Sequence, residues 1–236
     1  MTKFLVSFLL LITFFSASSQ EKLTGQPDLP GDILFDLGFN FWDQQNDTLK
    51  NWSSRSVGIY YNKRYRISKK FSFYAAAGLG LEKFSFSKNY FLNRGVKGAI
   101  VLDTLNSVIL RNKMLVTYLD MPLELRFHPK GTIEGEGFFV SAGVIPGLKL
   151  NAHTRIKYEE AGAKQTQKLR ANFGLNDYRL GLQFRVGWEG VNFFYKTYMT
   201  ELFRKKQSIY LPGDLGNEID SFNPTITTIG INFSGF

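Results

Sequence analysis

The sequence predicts an all-β chain closed into an eight-stranded antiparallel up-and-down transmembrane β-barrel with short periplasmic turns and long extracellular loops. Three observations predict it. Apolar residues recur with period two along eight segments, and a helical period is hard to find. The connections between those segments are alternately short and long. Glycines sit mid-strand on the polar face, although glycine weakens a strand.

The ends come first. Residues 1–19, MTKFLVSFLLLITFFSASS, carry a positive Lys3, an apolar run from Phe4 to Phe15 and small residues from Ser16 to Ser19. That is the pattern of a cleavable secretory signal peptide, with Ala17 at the −3 position. Cleavage there leaves about 217 residues, enough for one domain: a periplasmic N-terminal segment at 20–31 and a barrel at 32–236. Of 29 basic residues only Lys3 leaves with the peptide, so 28 face 20 acidic ones. Zero cysteines exclude disulfides, thiolate metal sites and a lipid anchor at the cleavage site. No later stretch reaches ~18 consecutive apolar residues, which excludes a helical membrane protein.

The first strand sets Ile33, Phe35, Leu37, Phe39 and Phe41 against Asp36, Gly38 and Asn40. The second alternates Val57, Ile59, Tyr61 and Tyr65 with Gly58, Tyr60, Asn62, Arg64 and Arg66. The third sets Phe71, Phe73, Ala75, Ala77, Leu79 and Leu81 against Tyr74, Gly78, Gly80 and Glu82. The fourth, TYLDMPLELRF, has Leu119, Met121, Leu123, Leu125 and Phe127 on one face, and Tyr118, Asp120, Pro122, Glu124 and Arg126 on the other. The fifth begins with Phe138, Val140, Ala142 and Val144, and the sixth carries Tyr178, Leu180, Leu182, Phe184 and Val186 against Arg179, Gly181, Gln183 and Arg185. The seventh runs from Val191 to about Leu202 and the eighth from Thr225 to Phe236. Each has the ~9–11 residues that a tilted strand needs to cross a bilayer. Short links at 68–70, 129–136 and 187–190 alternate with long ones at 43–55, 84–113, 152–175 and 203–222, the pattern of an outer-membrane barrel.

A soluble carrier barrel also alternates, with its oily face inward. Gly38, Gly58, Gly78, Gly80, Gly143, Gly181 and Gly230 decide between the two. A solvent face gains nothing from them, whereas a crowded lumen alternates small and large residues to fit its taper. The polar face is therefore the inside. Lys63, alone on the lipid face, is placed to snorkel to the interface.

The stretches YLDMPLELRFHP (118–129), FFVSAGVIPGL (138–148) and NDYRLGLQFRVGWEG (176–190) resemble the PorT-like outer-membrane β-barrel family of Bacteroidota, over most of residues 32–236. The resemblance implies an integral barrel in the outer membrane of a Gram-negative, Bacteroidota-like bacterium. It also implies an accessory role in type IX secretion, from which the long 84–113 loop departs.

No catalytic, cofactor-binding or metal constellation is legible. His128 precedes Pro129 at a turn, and His153 opens a long loop without a serine at a matching strand position. Asp120 and Glu124 lie four residues apart, roughly 13 Å along a strand, against ~5–9.5 Å for paired glycosidase carboxylates. With Asp36, Arg64, Arg126, Arg179 and Arg185 they read instead as a lumen charge network, in which Asp36, Arg64, Glu124, Arg126 and Arg185 form a layer across the periplasmic floor with Tyr60, Tyr74 and Tyr118 above it. The 84–113 loop holds Ile100, Val101, Leu102, Val108, Ile109 and Leu110. It reads either as a hairpin extending strands three and four, turning at 103–106, or as a partner-docking surface. Lys88, Arg94, Lys97, Arg111 and Lys113, and then Arg204, Lys205 and Lys206, are surface cations facing lipopolysaccharide phosphates. The expected partners are outer-membrane lipids, lipopolysaccharide and other outer-membrane proteins, not nucleic acid. Three functions remain open: accessory subunit of a larger complex, free-standing barrel that stabilises the membrane or binds lipopolysaccharide, and lipid-modifying enzyme or narrow channel.

Overall fold

The computed structural model describes residues 31–43, 50–86, 90–94, 100–104, 108–130, 137–160, 162–188, 190–204, 209–210 and 223–234. The expected signal peptide lies outside them, as does all but the end of the expected N-terminal segment. In chain order the strands are β1 (Asp32–Trp42), β2 (Arg55–Arg66), β3 (Phe71–Ser85), β4 (Tyr90–Arg94), β5 (Ile100–Thr104), β6 (Val108–Asp120), β7 (Leu123–Phe127), β8 (Phe138–Glu160), β9 (Ala163–Arg170), β10 (Tyr178–Trp188), β11 (Val191–Tyr198), β12 (Ile209–Tyr210) and β13 (Ile226–Ser234). One 3-10 turn, Asn51–Ser53, precedes β2. No described helix is long and apolar enough to cross a membrane.

The sheet closes on itself. β1 pairs with β2, β2 with β3, β3 with β6 and β7, these with β8, then β10, β11 and β13 follow, and β13 returns to β1. The closing ladder runs from Leu34 opposite Ser234 to Trp42 opposite Ile226. β6 and β7 are one barrel strand interrupted at Pro122, so eight antiparallel strands make the wall. Pro122 lacks an N–H, and the ladder adapts around it: the Ala76 N–H donates to Pro122 O at 2.8 Å and the Met121 N–H to Pro146 O at 2.9 Å. Closure leaves no edge, which is what a sheet in hydrocarbon requires.

Burial sets the two faces as the glycines imply. Leu37, Ile59, Leu79, Leu119, Leu125, Val144, Phe184 and Ile231 are exposed on the outside, while Asp36, Asp120, Glu124, Arg126, Arg179 and Arg185 are buried inside. Outward aromatics ring the short-turn end: Phe71 on Phe127 at 5.1 Å, Phe138 on Trp188 at 5.6 Å and Tyr65 on Phe73 at 6.3 Å between ring centroids. Lys63 lies exposed there, its ammonium 5.4 Å from the Tyr65 ring centre.

The long-loop end departs from the sequence reading in three ways. The segment expected as a loop at 152–175 is largely strand: β8 runs 23 residues and continues beyond the barrel between β6 and β9. The hairpin expected to turn at 103–106 is replaced by β4 paired with β5, with β12 parallel to β5 in a separate three-stranded sheet. Finally, parts of the other loops fold into the mouth. Phe173, Leu175, Leu202 and Phe203 pack with Phe84, Met114, Val116 and Ile226 as an apolar cap. Asn176 and Asn223 hold that cap through side-chain amide donation to Phe203 O, at 3.0 and 2.9 Å. The cause of the first departure is visible outside β8. Its outward residues pass from Val144 and Leu148 to His153, Arg155 and Lys157, so the hydrocarbon signal ends although the ladder does not.

A sheet closed in this way resists detergent until heated. The refolded protein is expected to migrate faster on a gel unboiled than boiled, and to sediment with outer membranes. Recovery in the soluble periplasmic fraction would invert the inside and outside assigned above.

Candidate functional site

The narrow lumen of an eight-stranded barrel has room for side chains but not for bulk water. Its inward positions converge on two layers of charge. In the first, Asp36 on β1 is the centre. Its Oδ1 accepts from Arg185 Nη1 at 3.0 Å and Asn232 Nδ2 at 2.6 Å, and its Oδ2 from Arg185 Nη2 at 2.9 Å and Lys196 Nζ at 2.6 Å. The third guanidinium donor, Arg185 Nε, reaches Glu124 Oε1 at 2.9 Å. Glu124 also accepts from Gln183 Nε2 and, through Oε2, from Ser141 Oγ at 3.1 Å. Arg126 Nε lies 3.5 Å from Glu124 Oε2, and its guanidinium is stacked between Tyr74 and Phe139 at 3.8 and 4.4 Å.

In the second layer Arg179 is the centre. It grips Asp120 in bidentate fashion, Nε to Oδ1 at 3.0 Å and Nη2 to Oδ2 at 2.6 Å, and donates from Nη1 to Glu82 Oε1 at 3.0 Å. Glu82 Oε2 accepts from Asn40 Nδ2 at 2.7 Å, whose Oδ1 accepts from Thr228 Oγ1 at 2.8 Å. Tyr118 and Tyr198 stack on Arg179 at 3.8 and 4.3 Å. Tyr60 joins the layers: its hydroxyl donates to Asp120 Oδ2 at 3.4 Å and accepts from Lys196 Nζ at 3.5 Å.

Asp36, Glu82, Asp120 and Glu124 are thus matched by Arg126, Arg179, Arg185 and Lys196. Each buried carboxylate accepts several hydrogen bonds, the condition under which charge persists away from water. The bidentate forks need arginine, because a lysine cannot offer two parallel donors. None of these carboxylates is left open to act as a base.

Of the network residues expected from sequence, the structure places Asp36, Glu124, Arg126 and Arg185 in the first layer and Asp120 and Arg179 in the second. Arg64 is corrected. It is exposed near the end of β2, opposite Tyr74, rather than buried with the charge layers. Its charge bears on His128, which burial first, then Arg126 and Arg64, holds below the ordinary histidine pKa. Of the tyrosines, Tyr60 lies between the layers and Tyr118 stacks on Arg179 in the second, whereas Tyr74 differs from expectation by stacking on Arg126 of the first layer. Lys196, Asn40 and Gln183 went unrecognised. The signal for Lys196 was present, since Asn192, Lys196 and Tyr198 share alternate positions of an otherwise aromatic strand.

In the other predicted groups, Ile100, Val101 and Leu102 open β5, Val108 opens β6, Ile109 is half-buried, and Leu110 is bulged out of register and exposed. Arg204 pairs with Asp177. Lys205 and Lys206 lie outside the described residues.

Two results are expected. Glu124→Ala leaves Arg185 Nε, Gln183 Nε2 and Ser141 Oγ without their acceptor, and should cost roughly 3–5 kcal/mol in urea unfolding; a midpoint equal to wild type would remove the network from the stability argument. Gly80 and Gly147 flank Asp120 so tightly that a Cβ on either would collide with its carboxylate oxygens, whereas a Cβ on Gly190 meets nothing within 4 Å. Gly147→Ala should therefore lower the unfolding midpoint in the same assay and Gly190→Ala should not.

A family model described as "Outer membrane protein beta-barrel domain" matches residues 28–203. Among solved structures, the attachment invasion locus protein Ail of Yersinia pestis, crystallised with the heparin analogue sucrose octasulfate, is similar at 9% identity over 88% of this chain and 100% of that one, with a TM-score of 0.31. OprG from Pseudomonas aeruginosa is similar at 10% identity over 87% and 96%, with a TM-score of 0.27. A mutant porin of Rh. blastica follows at 10% over 87% and 98%, with a TM-score of 0.20. No curated protein matches the chain. With three-quarters of its length matched by the family model and its sheet closed as described, the chain belongs to the outer membrane protein beta-barrel domain family and is a barrel of the Gram-negative outer membrane.

Proposed function

We propose that the protein is a sealed, non-enzymatic barrel that serves as an accessory subunit of a larger outer-membrane assembly. The observation that supports this best is the double obstruction of the lumen. The two charge layers fill the middle, and the apolar cap of Phe84, Met114, Phe173, Leu175, Leu202 and Phe203 fills the mouth. A barrel so filled neither conducts nor holds a large solute, and its charged groups are committed to one another. Its work then lies on its outer surfaces.

Those surfaces are built for presentation. The long-loop end carries the β6–β8–β9 extension and the separate β4–β5–β12 sheet. The short turns and both termini face the periplasm once the leader is removed, and the extensions face outward. Ile100, Val101 and Leu102 on β5, with Val108, Ile109 and Leu110 at the start of β6, form the docking element for another outer-membrane protein. The PorT-like resemblance of residues 118–129, 138–148 and 176–190 favours a type IX secretion machine as the assembly.

The purified protein should give no steady single-channel current in planar bilayers. Deletion of residues 90–104 should leave the barrel folded and heat-modifiable while removing proteins that co-purify from gently solubilised outer membranes. Steady channels, or an unchanged set of partners after the deletion, would reject this function.

A further inference from the structure

Where the upper end of β3 meets the start of β6 lies a cleft of about 380 Å³ lined by Lys50, Lys83, Arg111 and Lys113, with Ser53, Ser85, Phe86, Leu110 and Asn112 between them. That volume falls in the range of small-ligand sites. Among the described residues no carboxylate lines it, and none of the four cations forms an ion pair with any of them. The walls are fixed by the backbone. The Lys50 N–H donates to Ser85 O at 2.7 Å, Ser85 Oγ donates to Ser53 O at 3.1 Å, and the Phe86 N–H donates to Asn112 O at 3.2 Å. Trp42 packs behind it on Phe84 and Phe86 at 5.7 and 6.1 Å.

The strand register extends this charge across the outer face. Lys113 stands opposite Arg155, and Arg155 opposite Lys168, so three cations lie in one row over three adjacent strands. In the neighbouring rows Arg55 stands opposite Lys83, and Arg111 opposite Lys157. Like charges directly opposite destabilise a sheet, and an anion among them removes the penalty. Glu159 and Glu160, the acids of β8, lie at its far tip, where they face Lys164 and Ala163.

Height selects the anion. On β3 the outward residues Leu79 and Leu81 are exposed immediately below Lys83, and on β6 Leu119 lies below Thr117, Leu115 and Lys113. Two residues of strand span roughly 6–7 Å, so Lys83 sits one pleat above the hydrocarbon band. The anions held at that height are headgroup phosphates, which clustered Lys and Arg recognise. We infer that this cleft binds a phosphate group of an anionic glycolipid in the outer leaflet, with Lys83, Arg111 and Lys113 as its ligands and Lys50 closing the rim. The inference rests on the outward orientation given above but not on any partner protein, and it is testable on the purified chain alone.

The test uses the chain refolded in lipid-free detergent, with bis-phosphorylated lipid A and its dephosphorylated form as probes in native mass spectrometry. The bis-phosphorylated lipid should be retained and the dephosphorylated form should not. Replacing two cations, Lys83→Gln with Lys113→Gln, should weaken retention roughly ten- to thirty-fold. Without lipid, the same variant should melt no lower than wild type, because a repulsion has been relieved. Lys69→Gln with Lys70→Gln, at the opposite end, should leave retention unchanged. Equal retention of both lipid forms, or unaltered retention by the Lys83/Lys113 variant, would overturn the inference. So would binding of dextran sulfate at these residues with no retention of lipid A, which would assign the cleft to a soluble polyanion.

Discussion

The structure depends on the pairing of Asp36 with Arg185 at the centre of a lumen without bulk water. Asp36 is wholly buried and Arg185 very nearly so. Neither charge is tolerable there alone. Arg185 spends three donors on two carboxylates, and those carboxylates draw in Lys196, Asn232, Gln183 and Ser141 from four other strands. The first charge layer is therefore a list of which strands face one another. A ladder of backbone hydrogen bonds stabilises many registers about equally. A carboxylate that must meet a particular fork stabilises one, because a one-residue slip turns every inward side chain out to lipid. The charges act as specificity elements as much as stabilisers, and the same is true of Asp120, Glu82 and Arg179 in the second layer.

Filling the lumen with long polar side chains has a steric cost, which glycine meets. Gly38 faces Gly230 across the β1–β13 ladder, and Gly58 faces Gly80 across β2–β3. A Cβ on Gly230 would press on Gly38 and on Leu37 O, and one on Gly58 would meet the Tyr60 ring. The empty inward positions are the space that Tyr60, Phe194, Arg179 and Asp120 occupy. Glycine's weakness as a strand former is offset because its neighbours' side chains, not its own, do the packing. The tyrosines then cover the guanidinium faces: Arg179 is satisfied in its plane by Asp120 and Glu82 and above it by Tyr118 and Tyr198, and Tyr74 covers Arg126.

That pattern explains what the sequence made legible. The eight wall strands and the polarity of their faces are written at every residue of the hydrocarbon zone, where outward Leu, Val and Phe alternate with inward Asp, Arg and Gly. Six of the seven expected network residues lie in the charge layers, because a charge mid-strand on the glycine-bearing face has nowhere else to go. The pairings were less legible. Which acid meets which base depends on the stagger of the strands around the barrel, and alternation within one strand carries no information about stagger. Hence Arg64, whose place on the polar face is right in parity but which stands exposed while Asp36, Glu124, Arg126 and Arg185 are buried.

The long-loop end was hidden for a related reason. Alternation identifies a strand only while its two faces meet different solvents, and above the membrane both faces of β8 meet polar surroundings or a small apolar cap. Between Leu148 and Lys157 the outward face changes from hydrocarbon to cation, while Ala152, Thr154 and Ile156 stay buried on the other side. The ladder runs on through this change. The contrast in the sequence ends where the membrane does, not where the strand does. The point at which alternation fades is therefore itself a measurement: on β2, β3, β6 and β8 it places the boundary within one pleat, Arg55 opposite Lys83, Lys83 and His153 both opposite Leu115, and Lys113, one pleat higher, opposite Arg155. Four independent stretches of sequence agree on one height around the barrel wall, and the residues they place there are nearly all basic. A boundary drawn in cations on that side of the barrel, with no such run of charge on the outward face below it, is what a sheet shows when its upper rim meets an anionic surface.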